Sequence, residues 1–250
     1  MSSIQKSMKN IPVEGLICLE AGTGAGNMTC YLVKRGAKLV YSISDNQEHL
    51  DYARSKLSND EAKKVKFINS DLCDLSFLSP GAIDLITAHM LINVVPPVDL
   101  FSIFNELTRV AKKDALMVIN DYNPFFSYQT KKSYLVEELF RIENAIHYIV
   151  EGKLALIWYP SEYIINLLQL LGWVQECMNL IYSKTPWEKE LLKEHIDVIK
   201  DMCVKVNHED LREDFLQNAL EIFNKIGDEE VIYAGSIYSI KMRKKCYNVA

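Results

Sequence analysis

Short apolar runs alternate with amphipathic stretches along the first half of the chain. Apolar runs bounded by glycine or polar residues predict buried strands. These runs lie at 17–20, 38–44, 65–69, 83–88 and 115–120. Apolar residues at helical spacing predict the intervening helices at 28–35, 46–57 and 97–111. Strands that alternate with helices in this way are typical of a parallel sheet covered by helices on both faces.

The second half of the chain has a different pattern. Helical spacing covers 134–150 and 161–171, and a strand pattern follows at 174–182. A charged and strongly helical stretch spans 187–225, before a last strand pattern at 231–242. The sequence therefore predicts an α/β protein with a doubly wound, mostly parallel, seven-stranded sheet. Ligands of such sheets bind at the carboxyl ends of the strands.

The first predicted strand leads into a glycine-rich turn. Glu20 ends the strand, and glycines follow at Gly22, Gly24 and Gly26. Glycines let the backbone turn sharply and approach a ligand closely, and the next helix offers unpaired N–H groups at its N-terminus. This arrangement predicts a nucleotide site. A dinucleotide is disfavoured, because the third glycine of that fingerprint belongs at position 27, which is Asn27.

The stretch 20–26 (EAGTGAG) resembles motif I of the class I S-adenosylmethionine-dependent methyltransferases. The runs IDLI at 83–86 and ELTRVAKKDALMVIND at 106–121 extend the resemblance, which is close over 16–122 and loose over 160–243. It implies S-adenosylmethionine as the cofactor and a late pair of strands, one antiparallel, at the far edge of the sheet. It also implies that Glu20 orders the loop, and that the loop, which includes Thr23, passes under the methionine part of the cofactor.

The end of the second strand is where the resemblance implies an acid for the ribose hydroxyls. Ser44 stands at that position and Asp45 follows it. One hypothesis is that the strand ends one residue late and Asp45 binds the ribose, which the register of strand ends favours. The alternative is that Ser44 makes a weaker contact and Asp45 only caps the next helix.

The third strand leads into Asp71 and Leu72. The resemblance implies that Asp71 accepts a hydrogen bond from the adenine amino group and that Leu72 packs beside the ring. A surface turn is the alternative role for Asp71, and Asp74 competes with it for the adenine contact.

Candidates for catalysis follow the fourth and fifth strands. The resemblance places Ala88, His89 and Met90 beside the methionine and the methyl group, where His89 is either a general base or a neutral packing residue. Asp121 and Tyr122 are further candidates for a base or for positioning. The following Asn-Pro-Phe-Phe, 123–126, resembles a motif of amino-group methyltransferases, but that motif belongs after the fourth strand. We therefore interpret 121–128 only as an aromatic segment at the pocket edge or as a hinge.

Domain organisation follows from the length and from the two helical stretches. The 250 residues are predicted to form a single methyltransferase domain, 1–250, with helical cover insertions at about 125–157 and 184–229. A polar leader of about fifteen residues precedes the first strand. Because many members of the superfamily close a longer N-terminal segment over the cofactor, we expect the cover here to come from later residues.

Charge, hydropathy and cysteine spacing limit the classes of molecule that the protein is expected to bind. A net charge of −5 argues against broad contact with nucleic acid, and the absence of a long apolar run or signal-peptide pattern predicts a cytoplasmic protein without membrane contact. The six cysteines are scattered, which predicts reduced thiols and no metal site. His147, His195 and His208 have no acidic or cysteine partner at ligand spacing. Whether the protein is a monomer or a homodimer stays open.

The leading hypothesis from the sequence is methyl transfer from S-adenosylmethionine to a small-molecule acceptor, with a protein side chain as the second choice of acceptor. Two other hypotheses stay open. One is a catalytically silent subunit that binds the cofactor, suggested by the displaced ribose acid. The other is an enzyme that uses the same cofactor for elimination or cyclisation.

Overall fold

A computed structural model describes residues 2–124, 129–182, 187–226 and 232–245. These divide into two compact units. The first unit combines residues 1–122, 159–181 and 238–250, and the second combines 123–158 and 182–237. The predicted insertions at 125–157 and 184–229 fall within the second unit.

Seven strands form one sheet in the order β3-β2-β1-β4-β5-β7-β6. The strands are β1 (Ile17–Ala21), β2 (Leu39–Ser44), β3 (Val65–Asn69), β4 (Ile83–His89), β5 (Ala111–Tyr122), β6 (Trp173–Tyr182) and β7 (Ser236–Lys244). The first five pair in parallel. This confirms the doubly wound, mostly parallel sheet that the sequence predicts.

The last strand runs in the opposite direction to its neighbours. On β6 and β7, the Lys245 amide donates to the Gly172 carbonyl, while Lys241 pairs with Glu176 further along. Residue numbers that rise on one strand and fall on the other mark an antiparallel pair. The structure therefore has the antiparallel strand that the resemblance implies, and β7 lies between β5 and β6, not at the edge.

The first unit also contains α-helices. They are α1 (Ser3–Ser7), α2 (Asn27–Lys34), α3 (Gln47–Ser55), α4 (Asn59–Ala62), α5 (Pro97–Val110) and α7 (Ser161–Leu170). Asn46 caps α3, because its side chain accepts a hydrogen bond from the Glu48 amide at 2.8 Å. A short 3-10 turn, Ile92–Val94, follows β4.

The N-terminal leader is not merely polar. Ile4, Met8, Ile11 and Val13 are buried in one apolar cluster with Met28 and Leu32 of α2. Ile4 and Met8 stand four residues apart around the short helix α1 and share one face of that turn. The leader therefore contributes to the core on the α2 side of the sheet.

The second unit is a helical bundle of α6 (Ser133–Glu151), α8 (Lys189–Cys203) and α9 (Glu209–Lys225). Apolar faces of the three helices form its buried cluster. The predicted helical stretch at 187–225 is thus two helices, and β7 begins at 236, later than the predicted 231. Position 231 lies outside the described residues.

Two histidines of this unit lie next to glutamate side chains. The Nδ1 atom of His195 lies 2.9 Å from a carboxylate oxygen of Glu143, and that of His147 lies 3.3 Å from Glu151. Within the described part of the chain, no three His, Cys, Asp or Glu side chains are grouped as a metal site would require.

Candidate active site

A cavity of about 660 Å³ opens at the carboxyl ends of the parallel strands. Its lining comes from the glycine turn, from the residues that follow β2, β3 and β4, and from the first turns of α5. Ten of the residues predicted from the sequence line this cavity: Glu20, Gly22, Thr23, Gly24, Ser44, Asp45, Asp71, Leu72, His89 and Met90. The topology thus brings together side chains that are up to 70 positions apart in sequence, as the rule for parallel sheets predicts.

Four predicted residues do not line the cavity: Gly26, Ala88, Asp121 and Tyr122. Sequence reasoning in turn missed Asn27, Met28, His49, Cys73, Leu91, Val94, Asp99 and Ile103, which do line it. Leu91 and Val94 directly follow β4, so their position at the strand end was the available signal. Asp99 and Ile103 belong to one face of α5, and nothing in the sequence marks that face as a cavity wall.

The three glycines of the turn serve different purposes. Gly24 has φ +47°, and a Cβ added there would have no atom within 4 Å, so its open side is free for a ligand. A Cβ on Gly22 would meet Leu91 at 2.9 Å. A Cβ on Gly26 would come within 2.5 Å of the Ala53 Cβ. Gly26 therefore permits the close approach of α2 to α3 and does not face the cavity.

Glu20 is buried below the turn, with only 2% of its surface exposed. Its carboxylate accepts hydrogen bonds from the Thr29 amide at 3.0 Å, from the Ser42 hydroxyl at 2.7 Å and from the Thr29 hydroxyl. Burial raises the pKa of Glu20 to about 7, although these hydrogen bonds act in the opposite direction. The side chain thus connects the ends of β1 and β2 to the first turn of α2.

At the end of β2, both ribose candidates line the cavity. The strand ends at Ser44, so the late end suggested for Asp45 does not occur. Asp45 is also not the helix cap, because Asn46 fills that position. Ser44 is buried and its hydroxyl accepts from the Asn46 amide at 3.1 Å, while Asp45 is exposed.

After β3, Asp71 and Leu72 lie side by side on the cavity wall. Asp71 is exposed and its carboxylate accepts from the Cys73 amide at 2.8 Å. Leu72 is buried. Asp74 makes the equivalent turn contact, with the Ser76 amide at 3.0 Å, but does not line the cavity.

Asp71→Ala is expected to weaken binding of S-adenosylmethionine by about 1 to 3 kcal/mol, because one ligand donor loses its acceptor. Isothermal titration calorimetry measures this change. Asp74→Ala is the matched control, since it removes the same kind of turn contact away from the cavity. Equal affinities of the two variants would contradict a ligand role for Asp71.

His89 lies at the end of β4 with its Nδ1 atom buried and without a partner among the described residues. Burial lowers the pKa of His89 to about 4, so the ring is neutral near pH 7. Its neighbour across the sheet is Asn120, and both amide atoms of Asn120 are also unpartnered within the described part of the chain. Buried polar atoms of this kind are rarely left unpaired in a working protein.

Asp121 and Tyr122, which end β5, do not line the cavity. The Asp121 carboxylate accepts from the Asn93 amide at 3.1 Å and from the Tyr122 amide at 2.8 Å. Burial raises the pKa of Asp121 to about 6 and also raises the pKa of Tyr122. The structure thus places Asp121 as an acceptor for the turn after β4. Half of the predicted aromatic segment at 121–128 lies outside the described residues, since the structure describes none of 125–128.

Two further findings concern the described residues outside the cavity as well as those that line it. Among the described residues, no helix combines the length and the apolar character that a membrane span needs. Five cysteines are free thiols, namely Cys18, Cys30, Cys73, Cys177 and Cys203, while Cys246 lies outside the described range.

Comparison with known proteins finds one matching family model. A family model described as a methyltransferase domain matches residues 19–119, which includes the glycine turn and the strands that carry the cavity. No curated protein sequence matches the chain.

Solved structures share the fold at low sequence identity. A candidate methyltransferase from Bacillus halodurans is 17% identical with a TM-score of 0.65, and the match covers 98% of this chain and 100% of that protein. The geranyl diphosphate C-methyltransferase of Streptomyces coelicolor, solved with Mg²⁺, geranyl diphosphate and S-adenosylhomocysteine, is 13% identical with a TM-score of 0.57 and coverage of 96% and 78%. The [4+2]-cyclase SpnF is 12% identical with a TM-score of 0.61 and coverage of 98% and 80%.

Proposed function

We propose that this chain, in which residues 19–119 match a methyltransferase-domain model and whose fold is shared by a candidate methyltransferase, is a class I S-adenosylmethionine-dependent methyltransferase that transfers a methyl group to a small-molecule acceptor. The observation that carries the proposal is the cavity at the strand ends, where the glycine turn, Asp45, Asp71 and His89 meet. The matched methyltransferase domain contains all of these residues.

The residues present fit this cofactor. A ligand can approach the backbone at Gly24, because a Cβ there would project into open space. In the proposed mode the turn from Gly22 to Gly24 holds the methionine part, Ser44 or Asp45 binds the ribose hydroxyls, and Asp71 and Leu72 hold the adenine. When bound, the cofactor supplies a methyl group on a sulfonium centre, which is already electrophilic.

The protein's part in catalysis is mainly positioning and exclusion of water. His89 is our candidate for contact with the acceptor, because its buried Nδ1 has no described partner and its low pKa keeps it neutral. A neutral ring nitrogen can accept a hydrogen bond from an N–H or O–H group, or take its proton. Asp121 and Tyr122 stay candidates for positioning.

A small molecule is the preferred acceptor. The connection after β4 gives this end of the cavity an apolar lining, in which Met90, Leu91, Val94 and Val95 take part. Apolar walls with few polar groups are typical of small-molecule sites. We further propose that the domain is single and that the helical stretches of the second unit act as the substrate cover. A protein side chain is the alternative acceptor.

A second candidate function is a different reaction with the same cofactor. The fold of the chain also resembles that of a [4+2]-cyclase, which is an enzyme of another reaction type. A silent subunit that only binds the cofactor is the third hypothesis.

Product analysis separates these functions. The purified protein is incubated with S-adenosylmethionine and a low-molecular-mass cell extract, and the products are identified by mass spectrometry. We expect release of S-adenosylhomocysteine, and a loss of about tenfold to a hundredfold in His89→Gln at unchanged cofactor affinity. Methylthioadenosine would instead indicate elimination or cyclisation of the cofactor's own aminobutyryl group, which leaves the sulfur as a thioether. If the cofactor binds but neither product forms, whether a protein or the extract is offered as the acceptor, the result would support the silent subunit.

A further inference from the structure

A closed set of hydroxyl groups surrounds Glu20 beneath the glycine turn. Thr23, Thr29 and Ser42 are each at most 3% exposed. The Thr23 and Ser42 hydroxyl oxygens are 2.8 Å apart, and those of Thr29 and Ser42 are 3.1 Å apart. The set joins the glycine turn, the first turn of α2 and the strand β2 to the end of β1.

The hydrogen-bond directions follow from the acceptor. An ionised carboxylate only accepts, so the Ser42 and Thr29 hydroxyls must donate to it. Ser42 then has no proton left for Thr23, and Thr23 donates to Ser42. When the carboxylate is ionised, Ser42 and Thr29 therefore donate directly to Glu20, and Thr23 donates to Ser42. This arrangement stabilises the anion.

No described lysine, arginine or histidine forms an ion pair with Glu20. Its partners on β2, α2 and the turn are hydroxyl and amide groups, and its neighbour on β4 is the uncharged Thr87. The titratable group electrostatically coupled to it is Cys30 on α2, a thiol whose pKa is raised, mainly by burial. Glu20 is thus a buried carboxyl with donors but no described counter-charge.

Glu20 also lines the cavity proposed for the cofactor. S-adenosylmethionine carries positive charge on its sulfonium and on its ammonium group, so it can supply the charge that the protein does not. A nearby cation favours the ionised form of a carboxyl group. By linkage, ionisation of the carboxyl group favours the cation to the same extent.

We propose that Ser42 and Thr29 are positioning residues for the cofactor: their hydroxyls hold Glu20 as the anion that S-adenosylmethionine requires, so that cofactor binding below neutral pH releases the proton of Glu20 to solvent. The inference rests on the proposed function, because it takes S-adenosylmethionine as the ligand. It adds Ser42 and Thr29 to the site, and neither of them lines the cavity.

Isothermal titration calorimetry with S-adenosylmethionine tests the proton release. Since burial raises the pKa of unliganded Glu20 to about 7, we expect affinity to rise about tenfold from pH 5.5 to pH 7.0. At pH 6.0, buffers of different ionisation enthalpy should report close to one proton released. Glu20→Gln should bind more weakly and without this dependence. The Glu20→Gln variant still contains His49, which also lines the cavity. If the affinity of this variant does not change with pH, the released proton comes from Glu20.

Ser42→Ala and Thr29→Val test the positioning role. Each removes a donor to the carboxylate, which raises the pKa of Glu20 further, so the loss of affinity should be severalfold at pH 7.0 and smaller at pH 8.0. A purely structural defect would give the same loss at both values. Ser42→Thr and Thr29→Ser keep the hydroxyl and should keep the wild-type profile.

Thermal unfolding of the unliganded protein gives a second readout. A raised carboxyl pKa means that the folded state holds the proton more tightly, so stability falls as pH rises from about 4.5 to about 7. Glu20→Gln has no carboxyl group at this position and lacks this pH dependence. The difference between its Tm and that of the wild type should therefore increase from pH 5 to pH 8. Binding with equal affinity at pH 5.5 and 7.0 and no proton release would overturn this inference alone. Absence of binding at every pH would overturn the proposed function with it.

Discussion

Gly24→Leu is expected to abolish binding of S-adenosylmethionine, with a loss of at least about a hundredfold in affinity. The added side chain starts in open space, because an ideal Cβ at this position has no atom within 4 Å, and it extends into the cavity. A ligand that must pass close to this backbone then meets a branched side chain. Isothermal titration with S-adenosylmethionine and S-adenosylhomocysteine measures the loss.

Backbone strain needs a separate control, because Gly24 has φ +47° and a leucine there is strained whatever the space. Gly81→Leu is the matched variant. Gly81 has φ +67° and nothing within 4 Å of an added Cβ, but it does not line the cavity. Similar losses of stability in both variants, with loss of binding only in Gly24→Leu, would identify the turn as the cofactor cradle. Unchanged affinity in Gly24→Leu would contradict this assignment.

Asp121→Ala is expected to lower the free energy of unfolding by about 3 to 5 kcal/mol, since each buried donor that loses its acceptor costs about 1 to 3 kcal/mol. The carboxylate accepts from the amides of Asn93 and Tyr122, and further backbone hydrogen bonds come from Leu91 and Ile92. These residues form the turn after β4, and Asp121 is only 2% exposed. Urea denaturation measures the change.

Asp121→Asn separates structure from catalysis. It keeps one carbonyl oxygen for the backbone donors, so we expect a smaller loss of stability, about 1 to 2 kcal/mol. Release of S-adenosylhomocysteine per folded molecule should fall less than in His89→Gln. A variant as stable as wild type whose product release falls more than a hundredfold would contradict the structural role and favour Asp121 as a catalytic base.

The elements of the sheet could be predicted from the sequence because they depend on local pattern. The run at 65–69 lies between Lys64 and Ser70, the run at 83–88 follows Gly81-Ala82, and the structure has strands at Val65–Asn69 and Ile83–His89. The order of alternating strands and helices fixes a parallel sheet, and a parallel sheet places its strand ends together. That is why the sequence alone predicts that Asp45, Asp71 and His89 lie at one edge of the sheet.

Side-chain direction could not be predicted in the same way. Gly26 belongs to the same motif as Gly24, yet it faces Ala53, because the loop between β1 and α2 turns successive glycines toward different surroundings. Asp121 follows a strand end as Asp45 does, but the turn after β4 supplies amide donors that hold it. The pairing of Glu143 with His195 depends on how α6 packs against α8.

By itself, then, the sequence determined the strand and helix order, the glycine turn and the edge of the sheet where the cavity lies, because these depend on local propensity and on the topology of parallel strands. Only the tertiary structure decided that Ser42 and Thr29 surround Glu20, that Asp99 and Ile103 complete the cavity and that Asp121 supports a turn. These contacts join residues from different elements. Their geometry is set by packing between elements, which no local pattern encodes.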